Sequence, residues 1–402
     1  MDKSLQSKFN SLKSQELNID LTRGKPGPEQ LDLSNSLLDL SVPIHGEDGI
    51  DIRNYGEPLG IKEARELGSD VLSTPYEFTL VSEQSSLLLT YQIILGMYLR
   101  GLSRPWKDLD SPKFICPVPG FDRHFRILDD FNIGAIPVPL MGEGIDINAL
   151  SQALESNDNV VGLICVPRHS NPSGDIFSDE NIIAMLDLMK KSSKDSICIF
   201  DHAYLLHDFK DAKKQTPLWE LIDRTSMLDR SAILTSFSKV TFAGGSIAFL
   251  AAGSAIFDLV NYQRGSMIVS PDKINQKRHT LLFKDKSDIE QHMKKHAEVL
   301  RPKFNLVIKL LKSLDPKLGS FKEPCGGYFI SFNTSRRMAA RTIEICSDLG
   351  VHLTPSGSTY PGFDDPNDNN IRLAPSVVSL TDIKKAMEVF KLALEISFSE
   401  AN

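Results

Sequence analysis

The pattern of apolar and polar positions divides the chain into two regions. From about residue 60 to residue 252, short apolar runs alternate with segments in which apolar residues recur every three or four positions. The runs predict seven strands, at 78–82, 113–117, 134–140, 160–167, 196–201, 232–236 and 247–252. The periodic segments predict helices at 85–100, 121–131, 147–155, 178–191 and 216–228. We therefore expect an α/β fold with a mainly parallel seven-stranded sheet, covered by helices on both faces.

The pattern is different at the two ends of the chain. Residues 1–14 are typical of a short helix, and a long helix is predicted from 287 towards 314. A glycine-rich strand at 326–330, a helix near 336–349, a short strand containing 371–373 and a final helix from 381 follow. These elements predict a smaller α+β domain. The expected division is a large domain at 45–284 and a small domain formed by 1–44 and 285–402.

Composition and charge narrow the class of protein. The chain has 402 residues, 41% of them hydrophobic, and a formal net charge of −7. It lacks a basic tract with interleaved aromatic residues, so we expect no nucleic-acid partner. The longest apolar run, 246–257, is too short to cross a membrane, and no apolar signal segment begins the chain. Five scattered cysteines without a CxxC pair favour a reducing compartment, and we expect a cytoplasmic protein without a membrane partner.

One lysine stands where a parallel sheet places its ligands, beyond the carboxyl end of a strand. Lys239 ends the run 232–239 and is followed by a second apolar run. Desolvation between such runs would favour the neutral amine, which is the form that attacks a carbonyl and makes a Schiff base. A lysine at a strand end is by itself a common structural feature. A catalytic role for Lys239 therefore requires other residues with matching chemistry nearby.

Two further strand ends carry polar residues. Asp201 follows the apolar run 197–200, and a buried carboxylate is costly unless it meets a cation or a proton donor. A protonated pyridine nitrogen would be a fitting partner, and Tyr204 could reach the same ring. The alternative is that Asp201 caps a following helix. Asn171, in the turn 170–174, would present its amide to a ligand, although a simple Asn-Pro turn is the alternative.

Candidates for binding anions lie in two other places. Arg372, within the apolar strand 371–373, is suited to bidentate capture of a carboxylate, the alternative being a structural ion pair. Ser236 and Ser238, just before Lys239, are candidate phosphate ligands.

The remaining histidines are interpreted as structural. His292 and His296 have HxxxH spacing, but no Glu follows the first His, and the helix is highly charged. We interpret this pair as part of a solvated face and expect no metal site. His202 and His207 are expected to pack or to support other residues. The sequence contains no dinucleotide GxGxxG, no P-loop and no GxSxG elbow.

Taken together, these motifs resemble a known family. The order Asn-Pro-x-Gly, Asp-x-x-Tyr, Ser-x-Ser-Lys and x-Arg-x resembles the fold-type I pyridoxal-phosphate enzymes, in particular the class I aminotransferases. The nearest resemblance is to the bacterial aspartate aminotransferase subgroup that is sometimes called MocR-like or alanine-glyoxylate aminotransferase. The matching runs are 21–26, 55–56, 85–87, 119–125, 238–244 and 326–329. The resemblance implies the aspartate aminotransferase-like fold, a large cofactor-binding domain and a smaller α+β domain.

The resemblance also implies roles around the cofactor ring. Lys239 would hold pyridoxal 5'-phosphate as an internal aldimine and later move the proton between substrate and cofactor. Asp201 would keep the pyridinium nitrogen protonated, so that the ring accepts electrons. Tyr204 and Asn171 would hydrogen-bond the ring oxygen, and Phe121 would stack on the ring face.

At the cofactor phosphate, the resemblance implies hydroxyls and backbone amides. Ser85 and Ser86 would bind the phosphate at a helix N-terminus, and Ser236 would add a further hydroxyl. Tyr55 would reach it from a neighbouring subunit, which implies a homodimer with shared active sites. Many class I enzymes carry an Arg several residues after the lysine, whereas 242–247 here contains no base.

For the substrate, the resemblance implies that Arg372 grips the α-carboxylate, with the backbone of Gly24 close to it and Arg23 nearby. It implies transfer of an amino group from an amino acid, most simply aspartate, to a 2-oxo acid such as 2-oxoglutarate. An acidic substrate needs a second cation, for which Arg23, Lys25 and Arg168 are candidates.

Two alternatives stay open at this stage. A β- or γ-lyase would use the same Lys, Asp and Arg, because the first proton abstraction is shared. A non-enzymatic effector-sensing module would be expected to carry an N-terminal DNA-binding domain, and only about twenty residues precede Arg23.

Overall fold

A computed structural model describes residues 3–401. Its helices are α1 Lys3–Lys13, α2 Pro28–Asp32, α3 Ser36–Asp39, α4 Lys62–Leu72, α5 Ser86–Leu99, α6 Asp122–Asp130, α7 Ile147–Glu155, α8 Asp179–Ser192, α9 Leu218–Arg224, α10 Ser254–Arg264, α11 Lys273–Leu282, α12 Lys286–Lys312, α13 Ala339–Asp348 and α14 Leu380–Glu400. Its strands are β1 Ile19–Asp20, β2 Thr79–Glu83, β3 Lys113–Val118, β4 Gly134–Pro139, β5 Val160–Cys165, β6 Ile197–Asp201, β7 Ser231–Ser236, β8 Ile247–Ala252, β9 Gly319–Phe321, β10 Ile330–Thr334, β11 Val351–His352 and β12 Asn370–Leu373.

Seven of these strands form one sheet, in the order β2-β8-β7-β6-β5-β3-β4. All neighbouring pairs are parallel except those of β8, which runs antiparallel to both β2 and β7. The sheet is the predicted one, since each strand overlaps a predicted apolar run. Because β8 is the antiparallel member, β2 and β7 point the same way, and their carboxyl ends lie at the same edge of the sheet.

The apolar runs arise because both faces of the sheet are covered. Along β5, Leu163 packs into one apolar cluster and Ile164 into another. The first cluster includes Met185 of α8, and the second includes Ile93 of α5, so helices cover the two faces. Cys116, Cys165 and Cys198 lie inside these clusters as buried thiols.

A second group of elements surrounds a third apolar cluster, which contains Phe304, Phe332 and Phe390. This second group contains the antiparallel sheet β12-β10-β9 and a parallel pair of strands, β1 with β11. Through that pair the N-terminal segment contacts the C-terminal region. Helix α12 contacts both parts, since Ile289 packs with the large-sheet residues and Phe304 with the smaller group. The division at residues 44/45 and 284/285 stays a prediction.

The glycine-rich strand predicted at 326–330 is displaced, because β10 begins only at Ile330. Gly327 has a φ of 77°, in the left-handed region that favours glycine. A Cβ on Gly326 would lie 2.3 Å from Nε2 of His169 and 2.4 Å from the His207 carbonyl. The two glycines therefore permit a close backbone passage past His169, in which Gly326 forms an isolated antiparallel bridge with Asp208 instead of a longer strand.

Across residues 3–401, no helix combines the length and the apolar character that a membrane span requires.

Candidate active site

The polar residues singled out in the sequence gather at one edge of the large sheet. Lys239 follows β7, Asp201 ends β6, and Asn171 lies in the loop after β5, so they come from three adjacent parallel strands. Ser85 and Ser86 follow β2, which points the same way. This is the edge at which an open parallel sheet binds ligands.

Lys239 lies in a short 3-10 turn, Phe237–Lys239, directly after β7. Its Nζ is 4.8 Å from the centre of the Tyr204 ring. Burial lowers the pKa of the Lys239 amine from its ordinary value, and the negative charge of Asp201 partly opposes this effect. The turn thus holds a desolvated amine over an aromatic face, beside a carboxylate.

Asp201 is a buried carboxylate with one satisfied oxygen and one free one. Its side chain lies 3.1 Å, Oδ2 to Nε2, from His124, and both residues are buried. The other oxygen, Oδ1, is buried and has no hydrogen-bond partner among residues 3–401. Burial alone would raise the pKa of Asp201, but the His124 hydrogen bond, the Lys239 charge and the nearby Ser86 hydroxyl hold it below its ordinary value. Asp201 is therefore ionised and has one oxygen available for a cationic partner.

His124 is a site residue to which sequence reasoning gave no role. It belongs to the first turn of α6, and its ring lies 5.1 Å from the Phe121 ring in an edge-to-face arrangement. The sequence signal that could have identified His124 was the apolar face of α6, where it lies with Phe125 and Leu128. A histidine on a buried helix face needs a hydrogen-bond partner, and Asp201 supplies it.

Tyr204 is buried close to both the amine and a second tyrosine. Its ring centroid is 6.1 Å from that of Tyr328 and 5.5 Å from that of His207. Burial, reinforced by the Asp201 charge, raises the pKa of the Tyr204 phenol well above its usual range. The phenol is therefore protonated and can donate a hydrogen bond. His207, interpreted from the sequence as a supporting residue, packs on this tyrosine.

Arg372 and Asn171 come together on the side of the second domain. An Nη1 hydrogen of Arg372 lies within reach of Asn171 Oδ1 at 3.3 Å, and Nη2 donates to the Thr22 carbonyl at 3.4 Å. The Asp122 carboxylate stands 3.5 Å from the same Nη1. These bonds are long, and Arg372 also lies over the ring of Phe329, at 4.9 Å. A substrate carboxylate could offer the guanidinium shorter, charge-assisted bonds than it has here.

Gly24 lies against the same aromatic residue. A Cβ at this position would come within 2.6 Å of the Phe329 ring and 2.8 Å of Tyr328 Cβ. The glycine therefore lets the loop approach the Arg372 side of the site.

Hydroxyl groups surround the N-terminus of α5. Ser85 is the N-cap, and its Oγ accepts from the Leu88 amide at 3.3 Å. Ser236 and Ser238 have their hydroxyls 3.1 Å apart, and Ser238 donates to the Gln84 carbonyl at 2.7 Å. Ser86 is the buried first residue of the helix. Free amides and hydroxyls at the start of a 14-residue helix make a suitable place for a phosphate.

A buried arginine contacts β2 and helix α5 in the same region. Arg264 donates through Nη1 to Ser82 Oγ at 2.6 Å and to Gln92 Oε1 at 3.2 Å. The Glu83 carboxylate lies 3.8 Å from the same nitrogen. Sequence reasoning placed no cation here, because Arg264 is distant along the chain.

Tyr55 is the candidate that the single chain does not bring to the others. Its side chain is 77% exposed and lines a surface pocket with Met267 and Val269. Within residues 3–401, no hydrogen bond joins its phenol to another candidate residue. An exposed aromatic beside exposed apolar residues is typical of a surface that meets another molecule.

The three candidate cations for an acidic substrate differ in availability. Arg168 is buried, and its Nη2 lies 2.6 Å from Asp208 Oδ2 while Nη1 donates to the Lys213 carbonyl at 3.0 Å. Its charge is therefore already neutralised. Arg23 and Lys25 are exposed in the loop that contains Gly24.

The interpretation of His292 and His296 as a solvated face is wrong. Both side chains are buried, and His296 has no exposed surface. His292 Nε2 lies 2.9 Å from the carbonyl oxygen of Val240, the residue after Lys239. The charged residues that suggested a solvated helix occupy the other faces of α12, and this face packs against the Lys239 turn and the N-terminal segment.

A family model described as aspartate amino-transferase matches residues 1–401. The chain belongs to the aspartate aminotransferase family. It is 36% identical to an aspartate aminotransferase of Corynebacterium glutamicum over 394 residues, which cover 96% of this chain and 90% of the relative. The resemblance to class I aminotransferases is confirmed at this level.

Solved structures agree in fold. An aspartate transaminase from Corynebacterium glutamicum superposes with a TM-score of 0.94 at 33% identity, over 99% of this chain and 95% of that one. A multiple substrate aminotransferase from Thermococcus profundus, at 17% identity and a TM-score of 0.80, shows the fold alone. The protein is accordingly a pyridoxal-phosphate-dependent aminotransferase that resembles aspartate aminotransferase.

Family membership implies pyridoxal phosphate as the cofactor, and the residues present fit it. The unpaired Oδ1 of Asp201 suits a protonated ring nitrogen. The desolvated amine of Lys239 suits the cofactor aldehyde. The hydroxyls at the start of α5 suit the phosphate.

Proposed function

We propose that the protein transfers the amino group of aspartate to 2-oxoglutarate, with pyridoxal phosphate attached to Lys239. The observation that carries the cofactor assignment is the buried Asp201 carboxylate. One of its oxygens is bonded to His124 and the other is unpaired in the interior. An ionised, half-satisfied carboxylate is costly in a folded protein without a cationic ligand.

The other residues divide the work of the reaction. When bound, pyridoxal phosphate supplies an electron-accepting ring that stabilises negative charge at the substrate α-carbon. Asp201 keeps the ring nitrogen protonated, with His124 holding the carboxylate in place. Tyr204 and Asn171 donate hydrogen bonds to the ring oxygen, and Phe121 covers one ring face. The Lys239 amine, once free, is the base that moves the α-proton.

At the two ends of the site, the chain binds anions differently. Ser85, Ser86 and Ser236 bind the phosphate through hydroxyls and helix amides. Arg372 binds the substrate α-carboxylate, next to the Gly24 backbone. When substrate binds, its α-carboxylate replaces the long contacts of Arg372 with Asn171 and Asp122 by a bidentate ion pair.

We also propose a homodimer in which Tyr55 binds the cofactor phosphate of the other copy. Tyr55 is 77% exposed in the single chain, and the cofactor phosphate needs hydrogen-bond donors. The lack of a base in 242–247 increases that need. Sedimentation of the protein with cofactor should give twice the chain mass, and Tyr55→Phe should weaken cofactor binding without changing that mass.

Borohydride reduction followed by peptide mapping tests the attachment. The pyridoxyl group should be found on Lys239, and recovery on another residue, or on none, would refute the proposal. Donor and acceptor assays test the reaction. If pyruvate and ammonia were released from the amino acid without a 2-oxo acid acceptor, a lyase would replace the aminotransferase.

Aspartate as donor requires a second cation, and we propose Arg23. Its guanidinium has no ion pair or hydrogen bond among the described residues, and it adjoins Gly24. Arg23→Ala should raise KM for aspartate about tenfold, with a smaller effect on alanine, since a charge-assisted bond is lost. Lys25→Ala, two residues along the same loop, is the matched control. Equal effects on both donors would remove Arg23 from side-chain recognition.

A further inference from the structure

The carboxylate of Asp208 binds two residues of the loop that carries Asn171. Nη2 of Arg168 donates to Asp208 Oδ1 at 2.9 Å and to Oδ2 at 2.6 Å. His169 Nε2 lies 2.6 Å from Oδ1 of the same carboxylate. Arg168 and His169 are buried, whereas the Asp208 side chain is 40% exposed. One carboxylate thus joins two buried donors that shortly precede Asn171 in the chain.

The protonation of this group follows from its contacts. Burial alone would raise the pKa of Asp208, but the hydrogen bonds from His169 and Arg168 hold it below its ordinary value. Because an ionised carboxylate only accepts, Nε2 of His169 carries a hydrogen and donates it. Burial lowers the pKa of His169, and its Nδ1 is buried without a hydrogen-bond partner among residues 3–401. The imidazole is therefore neutral, and its bond to Asp208 is what orients the ring.

The backbone of His169 depends on the same contacts. Its φ is 51°, in the left-handed region that is uncommon for residues other than glycine. Such a conformation persists where the surroundings hold it. On one side the ring bonds Asp208, and on the other it packs against Gly326, where a Cβ would lie 2.3 Å from His169 Nε2. The ring therefore holds the loop of Asn171 in its conformation.

The backbone around Asp208 pairs with the segment that precedes β10. Asp208 forms an antiparallel bridge with Gly326. Two amide-to-carbonyl bonds of 3.0 Å accompany the bridge, from Phe209 to Cys325 and from Gly327 to His207. Asp208 is thus bound to one loop through its side chain and to another through its backbone.

Both of these loops continue to groups that contact the Arg372 guanidinium. In the first loop, Asn171 Oδ1 accepts from Arg372 Nη1 at 3.3 Å. In the second, the Phe329 ring lies below the guanidinium, with its centre 4.9 Å away. The relative position of the two loops therefore determines the space around Arg372 into which a carboxylate must fit.

We propose that Asp208 and His169 are positioning residues that set Asn171 and Phe329 around Arg372 for binding of the substrate α-carboxylate. The proposal rests on the role of Arg372 in the proposed function. Asp208 itself touches neither substrate nor cofactor in this role. If the ion pair only stabilised the fold, its loss would lower the melting temperature and leave KM unchanged in the folded enzyme.

Two variants remove the link with little change of shape. Asp208→Asn keeps the size of the side chain and removes its charge. His169→Asn removes the imidazole, while asparagine tolerates the left-handed backbone. Asp211→Asn is the matched control, since Asp211 is an exposed aspartate of the same loop with no hydrogen bond or ion pair among residues 3–401.

Amide hydrogen exchange of the protein without cofactor tests the link independently of catalysis. The Ser170 amide donates to the Asp175 carbonyl at 2.9 Å, and the Gly327 amide to the His207 carbonyl at 3.0 Å. Asp208→Asn should speed exchange at both amides about tenfold, since hydrogen bonds to a charged group are lost. Asp211→Asn should leave them within about twofold of the parent chain.

Steady-state kinetics of the cofactor-loaded enzyme tests the role at Arg372. Asp208→Asn and His169→Asn should each raise KM about tenfold, equally for aspartate and alanine, because the α-carboxylate is common to both. The value of kcat should stay within about threefold of the parent, as expected when ground-state and transition-state binding weaken alike. Adding Asp208→Asn to Arg372→Lys should cause no further rise in KM, since Asp208 acts through the surroundings of Arg372.

The outcomes separate the positioning role from the proposed function. Parent-like exchange in Asp208→Asn, equal acceleration in Asp211→Asn, an unchanged KM, or a rise in KM confined to aspartate would each overturn the positioning role. If exchange responds as expected but the parent enzyme transfers no amino group from either donor, the proposed function fails and the role at Arg372 fails with it, while the link between the two loops stands.

Discussion

The proposed site has a ring end, formed by Asp201, His124 and Tyr204, and a phosphate end, formed by Ser85, Ser86 and Ser236. The two ends consist of different kinds of chemical groups. At the ring end, Asp201, His124 and Tyr204 are 2%, 4% and 3% exposed, and the Asp201–His124 pair stands where little water can screen it. At the proposed phosphate end, Ser85 and Ser238 are only partly buried, and the groups offered to a phosphate are neutral hydroxyls and helix amides.

The difference follows from what each end has to do. A group that keeps a ring nitrogen protonated must act on one atom, and a low dielectric strengthens its effect. A phosphate has several oxygens and can share its charge among several weak donors. Single substitutions should therefore cost much at the ring end and little at the phosphate end.

The largest effect should come from the amine itself. Lys239→Ala removes the covalent attachment and the proton-transfer base, and we expect kcat to fall by at least about 10⁴-fold. Steady-state kinetics with saturating pyridoxal phosphate measures the loss. Lys294→Ala, at an exposed lysine of α12, should behave as the parent enzyme. A Lys239→Ala variant with more than a hundredth of parental kcat would contradict the assignment.

Next in size are the ring-end partners. Asp201→Ala should lower kcat about 10³-fold, since the ring loses its protonating group. His124→Phe keeps a ring on α6 but removes a charge-assisted bond, so a loss of about 10- to 100-fold is expected. The double variant should resemble Asp201→Ala, because His124 acts through Asp201. Additive losses would show that His124 has an independent role.

Acid should lower the stability of the fold because buried histidines in and around the ring end resist protonation. Burial lowers the pKa of His202 to about 3, of His279 to about 4 and of His296 to about 3. Their unfolded-state pKa is higher, so below about pH 6.5 the unfolded chain binds more protons and stability falls as pH falls. At pH 5 each group costs up to about 2 kcal/mol.

Denaturant unfolding between pH 5 and pH 8 measures this loss. His202→Asn removes one such group, and His202 Nδ1 has no hydrogen-bond partner to lose among residues 3–401. This variant should show a flatter dependence below pH 6.5 by up to about 2 kcal/mol at pH 5. An unchanged slope would mean that His202 is not neutral and buried in solution.

The smallest effects belong to the phosphate end. Ser236→Ala should weaken cofactor binding by about 1 kcal/mol, or three- to tenfold in Kd, with kcat nearly unchanged at saturation. Ser85→Ala should also cost about 1 kcal/mol of stability, because Ser85 caps α5. Cofactor titration and thermal unfolding separate the two. A hundredfold loss from Ser236 alone would contradict a shared phosphate site.

Much of the architecture could be predicted because local patterns report burial. The apolar runs of β5 and β8 were readable since both faces of the sheet are covered. Lys239, Asp201 and Asn171 could be named as candidates because they follow apolar runs at one edge of a predicted parallel sheet, and Arg372 because it interrupts an apolar strand. The glycine-rich strand was misplaced, as the pattern of 326–330 does not show that Gly326 must avoid His169.

Residues whose partners are far along the chain could not be assigned from the pattern. His124 meets Asp201, 77 positions later, and Gln30 meets His296, 266 positions later. Arg264 meets Ser82 across 182 positions. The sequence around His292 and His296 was interpreted as a solvated helix face because the helix is highly charged. Its charged residues lie on the other faces, and the face with the two histidines is buried.

The sequence by itself determined the order of strands and helices and the polar residues at the strand ends, since both depend on short-range periodicity. The tertiary structure alone decided which side chains share a hydrogen bond. It made Asp201 a carboxylate with one free oxygen, neutralised Arg168 with Asp208, and turned two helical histidines towards the Lys239 turn. The physical reason is that a hydrogen bond requires two groups within about 3 Å, and only the packing of distant segments brings them there.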